Sequence, residues 1–416
     1  MLPKSTQRKL ALYFASMIFL HGFVLFKSWG GIAVGLPDFS IFYTAGRILH
    51  DGRRFELYDN GVQEQVQRSF SPAAVEKRKS ILPYNHPPFE ALLFAPLARF
   101  SFLTAYCLWL TLNVCLLVVM TLILRRYFAH LGRAPLHLWL LACFGFYPIF
   151  CALLQGQDSI LVLFCYCMAY VTFRDESEFR AGAWLGLGLC KFHLILPFAL
   201  PLVIVRRRKF MAGIAAVAIV SLAIGLATVG WHGWLQYPRY VWDSEHNPNY
   251  RWQVPLRNIA NLRGTIASLL PGNHPWGKGM LLLAVSGMLL LSVAYAWKKA
   301  QTAGLGCRDL AFTLNLIAAV LVSYHLYIHD LSLLFLGILL IGETVVSTHL
   351  AKPWLKTTIL LCVSVLFCSP VYLILFFRYQ QLQLLAIVLL VLFMALLSWW
   401  AGLASAAKPL PTLAGR

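Results

Sequence analysis

Charge is what this sequence has least of, and acid is the scarcer sign. Of its 416 residues 12% are charged, with 16 Asp and Glu against 35 Lys and Arg. Soluble proteins carry about 25% charged residues, so a mean hydropathy of +0.69 places this chain in the membrane class. The motifs of several soluble chemistries are missing too: there is no G-x-S-x-G, no Walker sequence and no kinase set. Gly186-Leu187-Gly188 lacks the third glycine of a dinucleotide fingerprint. The 10 cysteines lie mostly inside apolar runs, and Cys165-Tyr166-Cys167 is one residue short of C-x-x-C. They read as small buried side chains, which excludes a disulfide scaffold or a zinc ribbon. No small-x-small cleavage site follows the first apolar run, so a retained signal-anchor helix is expected.

What is abundant is positive charge, +19 in all. It sits mostly between apolar runs, which is the signature of membrane orientation. No basic patch interleaved with aromatics is present, so no nucleic-acid partner is expected. Apolar runs long enough to cross a bilayer fall at about 10–27, 101–124, 136–154, 159–173, 211–230, 279–297, 309–325, 330–346, 355–375 and 383–403. The run at about 181–205 is interrupted by Lys191 and His193. Arg174 and Arg180 precede it and Arg206, Arg207 and Arg208 follow it, so the charge rule favours a short helical hairpin with Lys191 near its tip. Gly182 and Gly186 would let its two helices approach closely. The fold class expected is an all-α polytopic membrane protein of about twelve spans, read as one domain over residues 1–416. Both termini are expected in the cytoplasm, with outer loops at about 28–100 and 231–278. Pro87-Pro88 opens a run too short to cross, read as an interfacial helix in the first outer loop.

With that topology the polar features collect on the outer side. They are Asp38, the Tyr84-Asn85-His86 segment, Gln157-Asp158, Lys191, and the His325-Leu326-Tyr327-Ile328-His329-Asp330 run. A site at the outer leaflet for an amphipathic substrate is the expectation. Lys191 would cost about 2.5–3.5 kcal/mol in mid-membrane. It either snorkels to the headgroups or serves as a cation for phosphate, a role Arg257 and Arg263 could share. His325 and His329 share a face if their helix is continuous. That spacing occurs in zinc sites, but the intervening Glu and a third ligand are missing, so no metal is expected and hydrogen bonding or pairing with Asp330 is favoured.

Asp38 opens a short amphipathic pattern in which Phe39, Phe42, Tyr43, Gly46 and Leu49 share one helical face. It reads as an N-cap or as an acid placed at a site.

The order of several motifs resembles one family. They are Asp38 with Tyr43, Gly52 and Tyr58; Tyr84-x-His86-Pro87-Pro88 with Pro96-Leu97; Gly156-Gln157; Gly182 through Lys191 to Arg206; and Asn261-Leu262-Arg263-Gly264. The chain resembles glycosyltransferase family 87, which includes polyprenol-phosphate-mannose-dependent mannosyltransferases and arabinofuranosyltransferases. The resemblance implies the multi-span GT-C fold. It also implies transfer of a sugar, a hexose such as mannose or arabinofuranose, from a polyprenyl-phosphate donor to a lipid or glycan acceptor at the outer face of a bacterial inner membrane. Asp38 matches the family's catalytic acid, and no Asp-x-Asp accompanies it, so neither metal nor other cofactor is implied. A single base suits one-step inversion, because a polyprenyl phosphate leaves as a stable anion. The donor phosphate would then be held by Lys191, Arg257, Arg263, His325 and His329. Tyr43, Tyr84, His86, Gln157, Asp158, Tyr327 and Asp330 would line the sugar or acceptor pocket. A flippase for a lipid-linked sugar would favour repeated halves and midplane polar groups, and no repeat is seen. A polymerase or ligase of surface polysaccharide is the other alternative.

Overall fold

The computed structural model describes residues 3–246, 255–270, 272, 274–300, 304–348 and 352–406. The two chain ends, and residues 247–254, 271 and 273 of the expected outer loop, lie outside that set. Every regular element among the described residues is helical. In order they are α1 (Lys4–Ala33), α2 (Phe39–His50), α3 (Asn60–Phe70), α4 (Pro72–Arg78), α5 (Pro88–Phe94), α6 (Phe102–Tyr127) and α7 (Leu136–Gly145). Next come α8 (Tyr147–Gln155), α9 (Ser159–Arg174), α10 (Glu178–Gly186), α11 (Phe192–Ile204), α12 (Arg208–His246) and α13 (Leu262–Leu269). The last are α14 (Pro275–Ala300), α15 (Leu305–Val322), α16 (Leu334–Ser347), α17 (Pro353–Phe367), α18 (Ser369–Leu373) and α19 (Leu384–Ala406).

Among the described residues seven stretches are long and apolar enough to cross a membrane, or up to nine if two bent pairs each count as one. The expected figure of about twelve is not reached: the run at 159–173 forms a helix of 16 residues, and Glu178–Ile204, expected as two short helices, counts once. Two further spans are broken. Pro148 and Pro370 each sit in the first turn of a new helix, where a missing N–H costs nothing. The chain bends by 65° between α7 and α8 and by 63° after α17. His21 of α1 ties the two breaks together. Its Nδ1 lies 3.1 Å from the Phe144 carbonyl and its Nε2 2.9 Å from Ser369 Oγ. Its ring stacks on Phe150 at 4.3 Å. α1 is otherwise largely exposed, yet His21 is buried.

Glu178–Ile204 has the length and hydropathy of a crossing, but its two ends meet. Arg207, just past α11, donates Nη1 to Glu178 Oε1 at 2.5 Å. We therefore read the stretch as going in and coming back, with the 3₁₀ turn Leu187–Lys191 between its two helices. The close approach expected of Gly182 and Gly186 is made to α12 rather than to α11. A Cβ on Gly182 would overlap the Phe210 carbonyl, and one on Gly186 would lie 2.9 Å from Val217 Cβ.

Polar contacts sort by end of the bundle. At one end Arg174 pairs with Asp309 at 2.8 Å, Arg308 with Glu176 at 2.6 Å, and Tyr127 donates to Asp175. Next to them Arg207 lies over Phe173 and Trp297. The opposite end is capped by α2 to α5, which share a second apolar core built on Phe39, Phe42, Tyr58, Tyr84, Phe94 and Trp109. Gly46 permits this cap to close, since a Cβ there would come within 2.5 Å of the Phe94 carbonyl. The expected short helix after Pro87 is present as α5.

Candidate active site

The site is built on the turn between α8 and α9. Gly156 ends α8 at φ +62°, a conformation glycine adopts without strain. A Cβ there would also lie 2.8 Å from Phe39 Cβ, so the turn rests directly on the first turn of α2. From α6, Tyr106 donates to the Leu153 and Leu154 carbonyls and Trp109 to that of Gly156. These satisfy carbonyls that a helix end leaves without partners.

Asp38 does not cap α2 through its side chain. Instead its Oδ2 accepts from Gln157 Nε2 at 2.8 Å, and its backbone N–H donates to Gln155 Oε1 at 3.2 Å. The carboxylate is half-buried, and its Oδ1 carries no hydrogen bond among the described residues. Gln157 is therefore brought against Asp38.

One residue on, Asp158 belongs to a buried ionic cluster. Lys191 Nζ lies 3.0 Å from Asp158 Oδ1, 2.6 Å from Asp330 Oδ1 and 2.7 Å from Ser159 Oγ. Ser159 in turn donates to Asp330 Oδ1 at 3.0 Å. Lys191 is only 3% exposed, so its charge is met inside the protein by two carboxylates and not by headgroups. Asp38 and Lys191 are thus joined through adjacent residues, Gln157 and Asp158. His86 Nδ1 is 2.9 Å from Glu90 Oε2 and 4.0 Å from Asp158 Oδ2. Burial pushes the Glu90 carboxyl up to about 7 against the pull of His86, with Asp158 adding to the rise. Burial works against charge on His86, but Glu90 and Asp158 together hold its pKa above the ordinary imidazole value. Burial would raise Asp158 as well, yet Lys191 holds it below the usual carboxylate range.

The other wall comes from the segment after α15. His325 and His329 do not share a helix face, because α15 stops at Val322 and a 3₁₀ turn, Ile328–Leu333, follows. Tyr327 and Asp330 close that turn reciprocally, with the Tyr327 N–H donating to Asp330 Oδ2 at 3.0 Å. His329 Nε2 is 3.6 Å from the same oxygen, and it feels the fields of both Asp38 and Lys191. The Tyr327 hydroxyl is 3.3 Å from His325 Nε2. Asn261 caps α13 and donates to the Ser323 carbonyl at 2.5 Å, which sets Arg263 over the Tyr324 ring at 4.0 Å.

Three expected residues make no hydrogen bond to this cluster among the described residues, although the Tyr84 ring stacks on His86 at 5.7 Å. Tyr43 spends its hydroxyl on the Phe100 carbonyl, and Tyr84 spends its own on that of Pro87. Arg257 donates to Gln380 Oε1. The site also contains residues that the sequence reading passed over. Glu90 carried a signal, an acid four residues after His86 in an apolar run. Ser159 and Gln155 carried none.

Among the described residues one group of three has metal-ligand character, His86, Glu90 and Asp158, with ligand atoms within 4.8 Å of one another. The donor set suits a hard cation poorly. His86 already bonds Glu90, and the Lys191 ammonium stands 3.0 Å from Asp158, where it would repel the ion.

Fold and site together define a polytopic, all-helical membrane protein with a buried polar cluster at one end of its bundle. The profile of glycosyltransferase family 87 matches residues 84–324, more than half of the chain, and the chain belongs to that family. It is a membrane glycosyltransferase. It is similar to the polyprenol-phosphate-mannose-dependent alpha-(1-2)-phosphatidylinositol mannoside mannosyltransferase of Mycobacterium tuberculosis. The two are 24% identical over 341 residues, covering 77% of this chain and 73% of the relative. No solved structure matches.

Proposed function

We propose that the enzyme transfers a sugar, mannose or a similar hexose or arabinofuranose, from a polyprenyl-phosphate donor to a lipid or glycan acceptor. The reaction is read as taking place at the outer face of the inner membrane, with inversion. The observation that carries this reading is Asp38: a half-buried carboxylate held by Gln157 through one oxygen, with the other oxygen unbonded. In the step proposed, the acceptor oxygen attacks the anomeric carbon while Asp38 takes its proton. The bond from that carbon to the phosphate oxygen breaks, and the polyprenyl phosphate leaves as an anion. The relative's dependence on polyprenol-phosphate-mannose supports the donor class.

Arg263, Arg257, His325 and His329 are the groups proposed to steady charge developing on the departing phosphate. Lys191 is already paired with two carboxylates, so we assign it to positioning: it fixes Asp158 and Asp330 under the sugar. The outer-face placement rests on the sorting of basic contacts to the opposite end of the bundle.

The test is Asp38→Asn in membranes supplied with labelled polyprenyl-phosphate sugars. Loss of a general base lowers turnover by about 10²–10⁴-fold, and transfer at the wild-type rate would remove Asp38 from the role. Passage of intact lipid-linked sugar across the bilayer with no new glycosidic bond would favour a flippase instead.

A further inference from the structure

Lys191 is neutralised within the protein, but other cations close to Asp38 are not. A cavity of about 280 Å³ opens between the C-terminal part of α1, the α1–α2 turn, α4 and the end of α8. Pro37 and Gln155 line it, and these are the residues that precede Asp38 and hold its backbone N–H. Lys27 of α1 and Lys77 of α4 also line it. Both are exposed, and neither has a carboxylate within 4.0 Å among the described residues. Arg78, next along α4, donates Nη1 to the carbonyl of Leu36, another wall residue, at 3.3 Å. Its Nε and Nη2 are buried with no hydrogen-bond partner. A guanidinium left in that state costs free energy unless an acceptor arrives.

The arrangement of α4 over this cavity is fixed by one turn. Gly35 stands at φ +87°, and a Cβ on it would come within 2.5 Å of Ser71 Cβ. Ser71 immediately precedes α4, so the α1–α2 turn and the start of α4 are locked together, with Lys77 and Arg78 nearly two turns further on. Below the cavity α1 presents Phe19, Phe23, Phe26 and Trp29, all at least half exposed. A ligand with an anionic head and a long apolar chain matches both parts: the head to the cations, the chain to the aromatic face. Small-molecule pockets run from about 300 Å³ upward, so the space suits a headgroup and not a whole glycan.

We propose that this cavity binds the phosphate of a lipid, held by Lys27, Lys77 and Arg78 beside the catalytic carboxylate. The proposal rests on Asp38 as base only for its meaning in the reaction; the binding itself is a separate claim. Two lipids carry such a phosphate, a polyprenyl phosphate and a glycerophospholipid.

The experiment uses the full chain in phosphate-free maltoside micelles. Native mass spectrometry titrates polyprenyl phosphate in one arm and phosphatidylglycerol in the other. K27Q/K77Q, both at exposed positions, is compared with wild type and with K298Q/K299Q, a control at the far end of α14. Loss of charge-assisted contacts in K27Q/K77Q is expected to weaken binding of one lipid by about tenfold or more, with the control unchanged. A loss for polyprenyl phosphate moves the donor phosphate to this cavity, away from Arg263, Arg257, His325 and His329; a loss for phosphatidylglycerol identifies an acceptor-side or accessory phospholipid. Equal affinities of wild type and K27Q/K77Q for both lipids overturn the proposal. D38N separates the two readings: it should bind lipid as wild type does while losing transfer. If D38N still transfers sugar, the base assignment fails and the binding result stands on its own.

Discussion

Gln157 and Asp38 are 119 residues apart in sequence and 2.8 Å apart in space, amide to carboxylate. The amide occupies Oδ2 and restrains the rotation of the carboxylate, while Oδ1 carries no hydrogen bond among the described residues. In Gln157→Leu the carboxylate keeps its charge and loses its orientation. A kcat lowered by about tenfold with little change in KM is expected, the pattern of an interaction that matters only in the transition state. A raised KM with unchanged kcat would instead place Gln157 in substrate binding.

Lys191 balances two buried acids, Asp158 and Asp330. Removing one partner of a buried ionic group costs about 3–5 kcal/mol, so Lys191→Met should lower membrane yield and the unfolding midpoint sharply. K191M/D330N, which also removes one of the stranded charges, should recover part of the loss. A single variant as stable as wild type would show that the two carboxylates are solvated or protonated.

The pair His86 and Glu90 makes stability depend on pH with a definite sign. Burial raises Glu90 to about 7, so between the unfolded value near 4.3 and that point the folded protein binds the extra proton. Its contribution is therefore present at low pH and lost as pH rises through about 7. His86, also raised, acts in the same direction: its contribution is full below its unfolded value and lost as pH climbs through the folded one. The unfolding midpoint should fall between about pH 5 and pH 8, and Glu90→Gln should flatten the slope. An identical slope in E90Q would assign the dependence elsewhere.

Chelation is expected to leave transfer intact. Lys191 stands beside the only three-ligand group among the described residues, and the reaction as proposed needs no Lewis acid. Activity lost in EDTA and restored by a divalent ion would reverse this.

His21 supplies hydrogen bonds to two helix breaks at once. His21→Phe keeps the stack on Phe150 and drops both bonds, with an expected cost of about 1–3 kcal/mol for the polar groups left buried. The unfolding midpoint of H21F against wild type measures it.

Local pattern was readable from the sequence, and long-range partnership was not. The helical face of Phe39, Phe42 and Tyr43, the short α5 and the turn at Gly156 follow from periodicity, Pro-Pro and a polar break between the runs at 136–154 and 159–173. Asp38 was legible as either cap or site acid, and only the coordinates show that its side chain does not cap. The spacing of His325 and His329 misled, because a four-residue interval marks one face only while the helix continues, and it stops at Val322. Hydropathy windows ran through Pro148 and Pro370, since both neighbours stay apolar across a bend. The partners of Lys191 come from 32 and 139 residues away at Ser159 and Asp330, a pairing that no spacing rule encodes.

The 65° break before α8 gives that helix a mechanical character. α8 has nine residues, a rigid arm of about 14 Å at 1.5 Å per residue. Its pivot is the break at Phe146, beside His21, and its far end is the turn that carries Gln157 and Asp158. On an arm of that length a swing of about 4° displaces the tip by about 1 Å, enough to cost a positioned reaction about 10²-fold. α1 is therefore a strut bracing a lever, and a lipid lying along its aromatic face would press on the same strut that keeps Gln157 in register with the Asp38 carboxylate.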